Sequence, residues 1–173
     1  ARPAGVEWPG GRDVSVASTS APTSGYIEDG VHVLPLRVYY EDTDAAGIVY
    51  YANWLRFLER GRTELLRVLG QEHSALKQER GLNWVVRRCA IDYLKPARLD
   101  ETIEVRTSCG ELRGASLDMI QEAARGTDVL VRAELMVACM GEGGRPVRLP
   151  PQVREALGKV AGLPTPRSRH IQV

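Results

Sequence analysis

One run of helical period stands alone in this chain, and nearly everything around it alternates. Trp54, Leu55, Phe57, Leu58, Leu65, Leu66, Val68 and Leu69 recur on one helix face until Gly70 stops the run, which predicts a helix at about 52 to 69. Arg56, Glu59, Arg60, Arg62, Thr63 and Arg67 form its polar face, and Gly61, costing about 1 kcal/mol against alanine there, marks a close backbone approach. Ahead of it, Leu34, Leu36, Val38 and Tyr40 alternate with Val33, Pro35, Arg37 and Tyr39, a strand whose proline suits an edge or a bulge. After Gly81 come four strand-like segments at about 83 to 94, 101 to 112, 115 to 125 and 128 to 140, joined by short breaks bearing Gly or Pro. Shorter helices are expected at about 72 to 79 and 151 to 159, and a further strand near Val147. A single long helix among antiparallel strands buries its apolar face only if the sheet wraps round it, so the fold class is α+β.

The chain has 173 residues, enough for one hydrophobic core. Residues 1–30, with Pro3, Pro9, Gly10, Gly11, Pro22 and Gly25, show no period and read as an N-terminal appendage; 31–160 form the domain, and 161–173 a tail bearing Arg167 and Arg169. A net charge of +1 offers no overall field for nucleic acid or an anionic membrane, so an anionic ligand needs a local patch. Cys89, Cys109 and Cys139 lie too far apart for a zinc motif and fall in strand segments, where buried reduced thiols are expected. Without a spanning run or a secretory leader pattern, the expected location is cytoplasmic.

The chemistry concentrates where strand gives way to helix. Asp42-Thr43-Asp44-Ala45-Ala46-Gly47 is a turn-rich loop just ahead of a helix start, whose first N–H groups lack intrahelical partners. Such an end attracts a carbonyl oxygen that is gaining negative charge. Asp44 could then act as a general base on water or as a nucleophile forming a mixed anhydride. The plainer reading makes Asp42 and Asp44 turn formers or caps. The spaced ligands and closing glutamate of a calcium loop are missing, so no metal is expected.

The stretch Y-Y-E-D-T-D-A-A-G-I-V-Y followed by A-N-W-L-R-F-L-E-R-G-R, from Tyr39 to Arg62, resembles the signature of the hotdog-fold 4-hydroxybenzoyl-CoA thioesterase family, most closely its YbgC-like branch, associated with the Tol-Pal envelope system. The resemblance covers about residues 32 to 150. It implies a hotdog fold, a curved antiparallel sheet of five or six strands around the central helix, and hydrolysis of acyl-coenzyme A without a cofactor. It implies that Asp44 is the catalytic carboxylate, that Tyr51 opens the helix and offers its backbone N–H to the thioester oxygen, and that Gly47 lets the ligand come close. The branch typically carries histidine at the position of Tyr51, so only the backbone role carries over. The turn Glu111-Leu112-Arg113-Gly114-Ala115-Ser116 resembles the family's coenzyme contact, with Arg113 on a phosphate and Ser116 beside it. Asn53 is expected to face the substrate or to orient the loop. The family assembles as dimers or tetramers with sites at subunit interfaces.

Alternatives remain open at this point. An acyl-carrier-protein thioesterase and a non-catalytic acyl-CoA-binding module are the rivals. Glu59 on the helix could act as a base, although pairing with Arg62 is simpler. His32, His73 and His170 accompany no nucleophile motif, which disfavours a serine hydrolase.

Overall fold

The structure is a computed structural model and describes residues 24–160. Six strands, β1 (Tyr26–Glu28), β2 (Val31–Arg37), β3 (Asn83–Tyr93), β4 (Thr102–Leu112), β5 (Ser116–Arg125) and β6 (Asp128–Met140), form one antiparallel sheet in the order β1-β2-β4-β5-β6-β3. The long helix α1 (Asn53–Val68) leaves the chain between β2 and β3 and lies against the sheet's inner face, followed by α2 (His73–Arg80); α3 (Pro151–Leu157) closes the described chain. This is the expected hotdog arrangement.

Alternation explains why the sheet closes on α1. Residues of one parity in β4 to β6, among them Val105, Leu117, Val131 and Val137, are buried, and they meet Trp54, Phe57, Leu58, Leu65 and Leu66 in one core. Each such side chain, fully buried, contributes about 2 kcal/mol. Gly61 is where helix and sheet come closest: a Cβ there would stand 2.6 Å from Val105 Cγ1 and 3.1 Å from Thr107 Oγ1. Beside it, buried Gln121 donates to Leu58 O and to Thr107 Oγ1, each at 2.9 Å, and accepts from Arg62 at 2.8 Å. A polar side chain in the core is thus satisfied on every arm, which fixes the helix against β4 and β5.

Several boundaries differ from the sequence expectation. The sheet begins inside the stretch read as an appendage, because Asp29 (φ 48°) and Gly30 (φ 74°) turn β1 back onto β2 as a tight hairpin. Consecutive positive φ values are the mark of a type I′ turn, for which Asp-Gly is a preferred pair. Residues 1–23 of that appendage and the tail 161–173 lie outside the described residues. Pro35 sits beyond the reach of β1, which pairs only with Val31–Val33, so its missing N–H disturbs no second ladder. The strand stops at Arg37, and Tyr40, counted in its alternation, is 83% exposed in a short 3-10 turn over Tyr40–Asp42. Near Val147 there is no strand, only a bridge between Met140 and Pro146 and a bond from Val147 N to Cys139 O at 3.0 Å. Cys109 and Cys139 are buried as expected, burial pushing the Cys109 thiol up to about 12, but Cys89 is exposed because β3 is an edge strand. No helix of the described residues is long and apolar enough to cross a membrane.

Candidate active site

Asp42 and Asp44 divide the work that the sequence left between them. Asp42 is buried: one oxygen accepts from Tyr39 N at 2.8 Å and the other from Asn53 Nδ2 at 2.6 Å. It therefore clamps the 3-10 turn to the first residue of α1. Asn53, expected among the substrate contacts, is buried with its amide committed to that clamp, so it acts on the loop.

Asp44 is exposed, and Asp44 Oδ1 accepts from Ala46 N at 2.8 Å in an Asx turn. Its other carboxylate oxygen has no hydrogen-bond partner among the described residues. The loop is held from behind: Asp44 N donates to Ile48 O at 3.0 Å, Gly47 N to Asp44 O at 2.9 Å, and Val49 N to Ala97 O at 2.8 Å. Gly47 has φ 71°, and an added Cβ would meet no protein atom within 4 Å. Glycine is required there for the left-handed backbone rather than for protein packing, which leaves its outer side open.

Asp44 lines a cleft of about 340 Å³ with Ile48, Tyr51, Trp54, Tyr93 and Leu94. The helix start forms part of its wall. Ala52 stands at the N-cap with helical angles and no side chain caps the end. Asn53 N bonds back to Tyr50 O at 2.8 Å, whereas the N–H groups of Tyr51 and Ala52 make no backbone hydrogen bond among the described residues. Tyr51 thus lies in the turn two residues before α1 rather than opening it, and keeps the unpaired donor that its assigned role needs. Its ring is 60% exposed, 4.7 Å from that of Tyr50 and edge-on to that of Tyr93 at 6.3 Å. A hydrogen bond with Tyr51 and its neighbouring charge, then burial and the charge of Asp44, raise the Tyr50 hydroxyl above the usual phenol range.

Arg113 and Ser116 are elsewhere. Arg113 donates to both oxygens of Asp118 at 2.8 Å and to Glu111 at 2.7 Å, and its backbone N donates to Ser116 O at 2.8 Å. The bidentate contact with Asp118 holds the guanidinium's pKa above its ordinary value, and two carboxylates already fill the fork that was expected to meet a phosphate. Glu59 is paired with Arg62 and accepts from Thr63 Oγ1 at 3.2 Å, the simpler of its two readings. The sequence reading missed Tyr93 and Leu94, which reach the cleft from the far end of β3, and only the folded register brings them there.

A family model described as the thioesterase-like superfamily matches residues 38–157. The acyl-CoA thioesterase YbgC of Haemophilus influenzae is 45% identical over 123 residues, 70% of this chain and 90% of its own. The chain belongs to the thioesterase-like superfamily. Within that superfamily the acyl-CoA thioester hydrolase YbgC of Escherichia coli O157:H7 is 44% identical over 61% of this chain and 79% of its own. Among solved structures, a probable thioesterase from Bartonella henselae superposes with a TM-score of 0.67 at 38% identity, covering 69% of this chain and 99% of that one. A 4-hydroxybenzoyl CoA thioesterase complex superposes with a TM-score of 0.68 at 21% identity, a likeness of fold alone.

Proposed function

We propose that this superfamily member hydrolyses acyl-coenzyme A to a carboxylic acid and coenzyme A, with Asp44 as the reacting carboxylate. The observation that carries the reading is that a carboxylate oxygen without a partner and an uncapped helix start share one cleft. A thioester carbonyl oriented towards Tyr51 N–H would be polarised by that donor and by the helix dipole. Its carbon would then present a face to Asp44, which takes a proton from water or attacks directly. The YbgC relatives' activity on acyl-CoA supports the substrate class. Three thiols without disulfides suit a cytoplasmic location.

Release of free thiol on a panel of aliphatic and aromatic acyl-CoAs tests the reading. Turnover of at least one of them is the expected result. Release only from acyl groups on a carrier protein would replace it with the carrier-protein reading, and tight acyl-CoA binding without release with the binding-module reading.

The same reading includes a dimer formed along β3. This strand is 11 residues long and lies at the sheet edge, with Val85 40%, Val86 42% and Tyr93 46% exposed. A long apolar edge seeks another strand, and pairing here would set a second copy beside Tyr93 and hence beside the Asp44 cleft. Light scattering should give a dimer or a tetramer built of two dimers for the native chain. Val85→Glu with Cys89→Glu, which places like charges along the pairing edge, should shift it towards monomer; a native monomer at high concentration would remove the dimer from the reading.

A further inference from the structure

A second cavity lies between α1, α2, α3 and the inner face of β3, β5 and β6, and shares no lining residue with the Asp44 cleft. Its polar groups are already bonded or closed off. Arg62 is held by Glu59 and Gln121, Glu59 also accepts from Thr63, and the ring nitrogens of Trp84 and His73 are buried away from the open space. What the cavity offers is carbon, from Leu66, Val86, Met119 and Val137. A polar occupant would lose its water partners there and gain none, so the wall selects an apolar chain. Free space of about 60 Å³, where one water needs about 10–15 Å³, holds about four to six methylene-sized groups.

The mouth lies at the β3 edge. Val86 is 42% exposed and the Glu59 side chain 54%, whereas Leu66, Met119 and Val137 behind them are buried. Within one subunit this mouth is remote from the Asp44 cleft. Val131 and Val137 point into the core, so their cross-strand partners Tyr93 and Val86 share that face, about 20 Å apart along the strand. A two-fold dimer along β3 changes the distance. The axis that continues a sheet through one edge stands perpendicular to it, so the two copies of β3 run antiparallel with their inner faces on one side. The head of one strand, with Val86, then lies beside the tail of the other. When the strands overlap over their whole length, the partner subunit's Tyr93 comes within about 10 Å of Val86.

We propose that this cavity receives the end of the acyl chain of a thioester held in the partner subunit's Asp44 cleft, which makes the substrate an unbranched aliphatic acyl-CoA. Crossing about 10 Å takes about eight carbons at about 1.2 Å per bond of an extended chain. With about four to six more in the cavity, the acyl group has about 12–14 carbons. The inference rests on the hydrolase reading and on the β3 dimer, and names the acyl group that they leave open.

The test is thiol release by the native full chain from straight-chain acyl-CoAs, butyryl to octadecanoyl, and from benzoyl-CoA. Among these, kcat/KM should peak at dodecanoyl-CoA or tetradecanoyl-CoA. Val86→Trp closes the mouth from an exposed position, and should lower the ratio of dodecanoyl to butyryl kcat/KM by about 10²-fold, as the exclusion of about four buried methylenes implies. Met119→Ala deepens the floor and should move the peak to longer chains. Complementation reads which subunit supplies the cavity. Asp44→Asn and Val86→Trp chains are each slow on dodecanoyl-CoA alone; co-expressed, they should regain about a quarter of native turnover, because about half of randomly assorted dimers are mixed and each sets one intact Asp44 against an intact cavity. Three results would overturn the inference and leave the hydrolase reading standing: a native peak at butyryl-CoA or benzoyl-CoA, a length profile unchanged in both cavity variants, or no recovery on co-expression. Absence of thiol release from every acyl-CoA would instead sink the hydrolase reading, and this inference with it.

Discussion

Asp44→Asn should lower turnover of the best acyl-CoA by about 10²- to 10⁴-fold, the range that a positioned acid or base supplies. The melting temperature should barely move. The side chain is exposed, and asparagine keeps an oxygen for the Ala46 N–H that closes the Asx turn. Substrate affinity should also survive, since the helix-start donors are backbone groups that the substitution leaves in place. Turnover near that of the native protein, with folding intact, would remove Asp44 from the chemistry and leave it a turn former.

Asp42→Ala should do the opposite kind of damage. The loss strands two donors, Tyr39 N–H and the Asn53 amide, in a site that is 2% exposed at Asp42. Two such donors cost about 3 kcal/mol together, and for a domain of this size that is a fall of about 10 °C in melting temperature. Activity should fall as well, because the clamp from the 3-10 turn to α1 is what holds the Asp44 loop against the helix start. The contrast between neighbours is the useful quantity: one substitution removes activity at constant stability, the other removes both. Equal melting temperatures for Asp42→Ala and the native chain would mean that the clamp contributes nothing.

That division was only partly legible in the sequence. The helix of α1 and the last four strands could be read because their periods are long and their breaks carry Gly or Pro, so the boundaries fall within a residue or two of the structure. The D-x-D loop pointed to the site, but two aspartates in one turn look alike until burial separates them, and the bond from Asn53 to Asp42 spans a fold that spacing cannot show. The ion pairs of Arg113 were hidden for a related reason. Only the folded turn after β4 sets Asp118 beside its guanidinium. Tyr93 was invisible as a cleft residue because it lies far from Asp44 in sequence and joins it only through the β3 edge. The Asp29-Gly30 hairpin was the signal present and passed over, since it sits at the end of a stretch whose composition reads as unstructured.

The central claim is an arrangement of atoms, a thioester held between a carboxylate and an uncapped helix start. A crystal structure of the Asp44→Asn chain with an intact acyl-CoA tests it most directly. The account predicts the thioester oxygen at about 2.7–3.1 Å from Tyr51 N, with the position-44 side chain facing the carbonyl carbon. A thioester lying away from that helix start, with no contact to position 44 of either subunit, would contradict it.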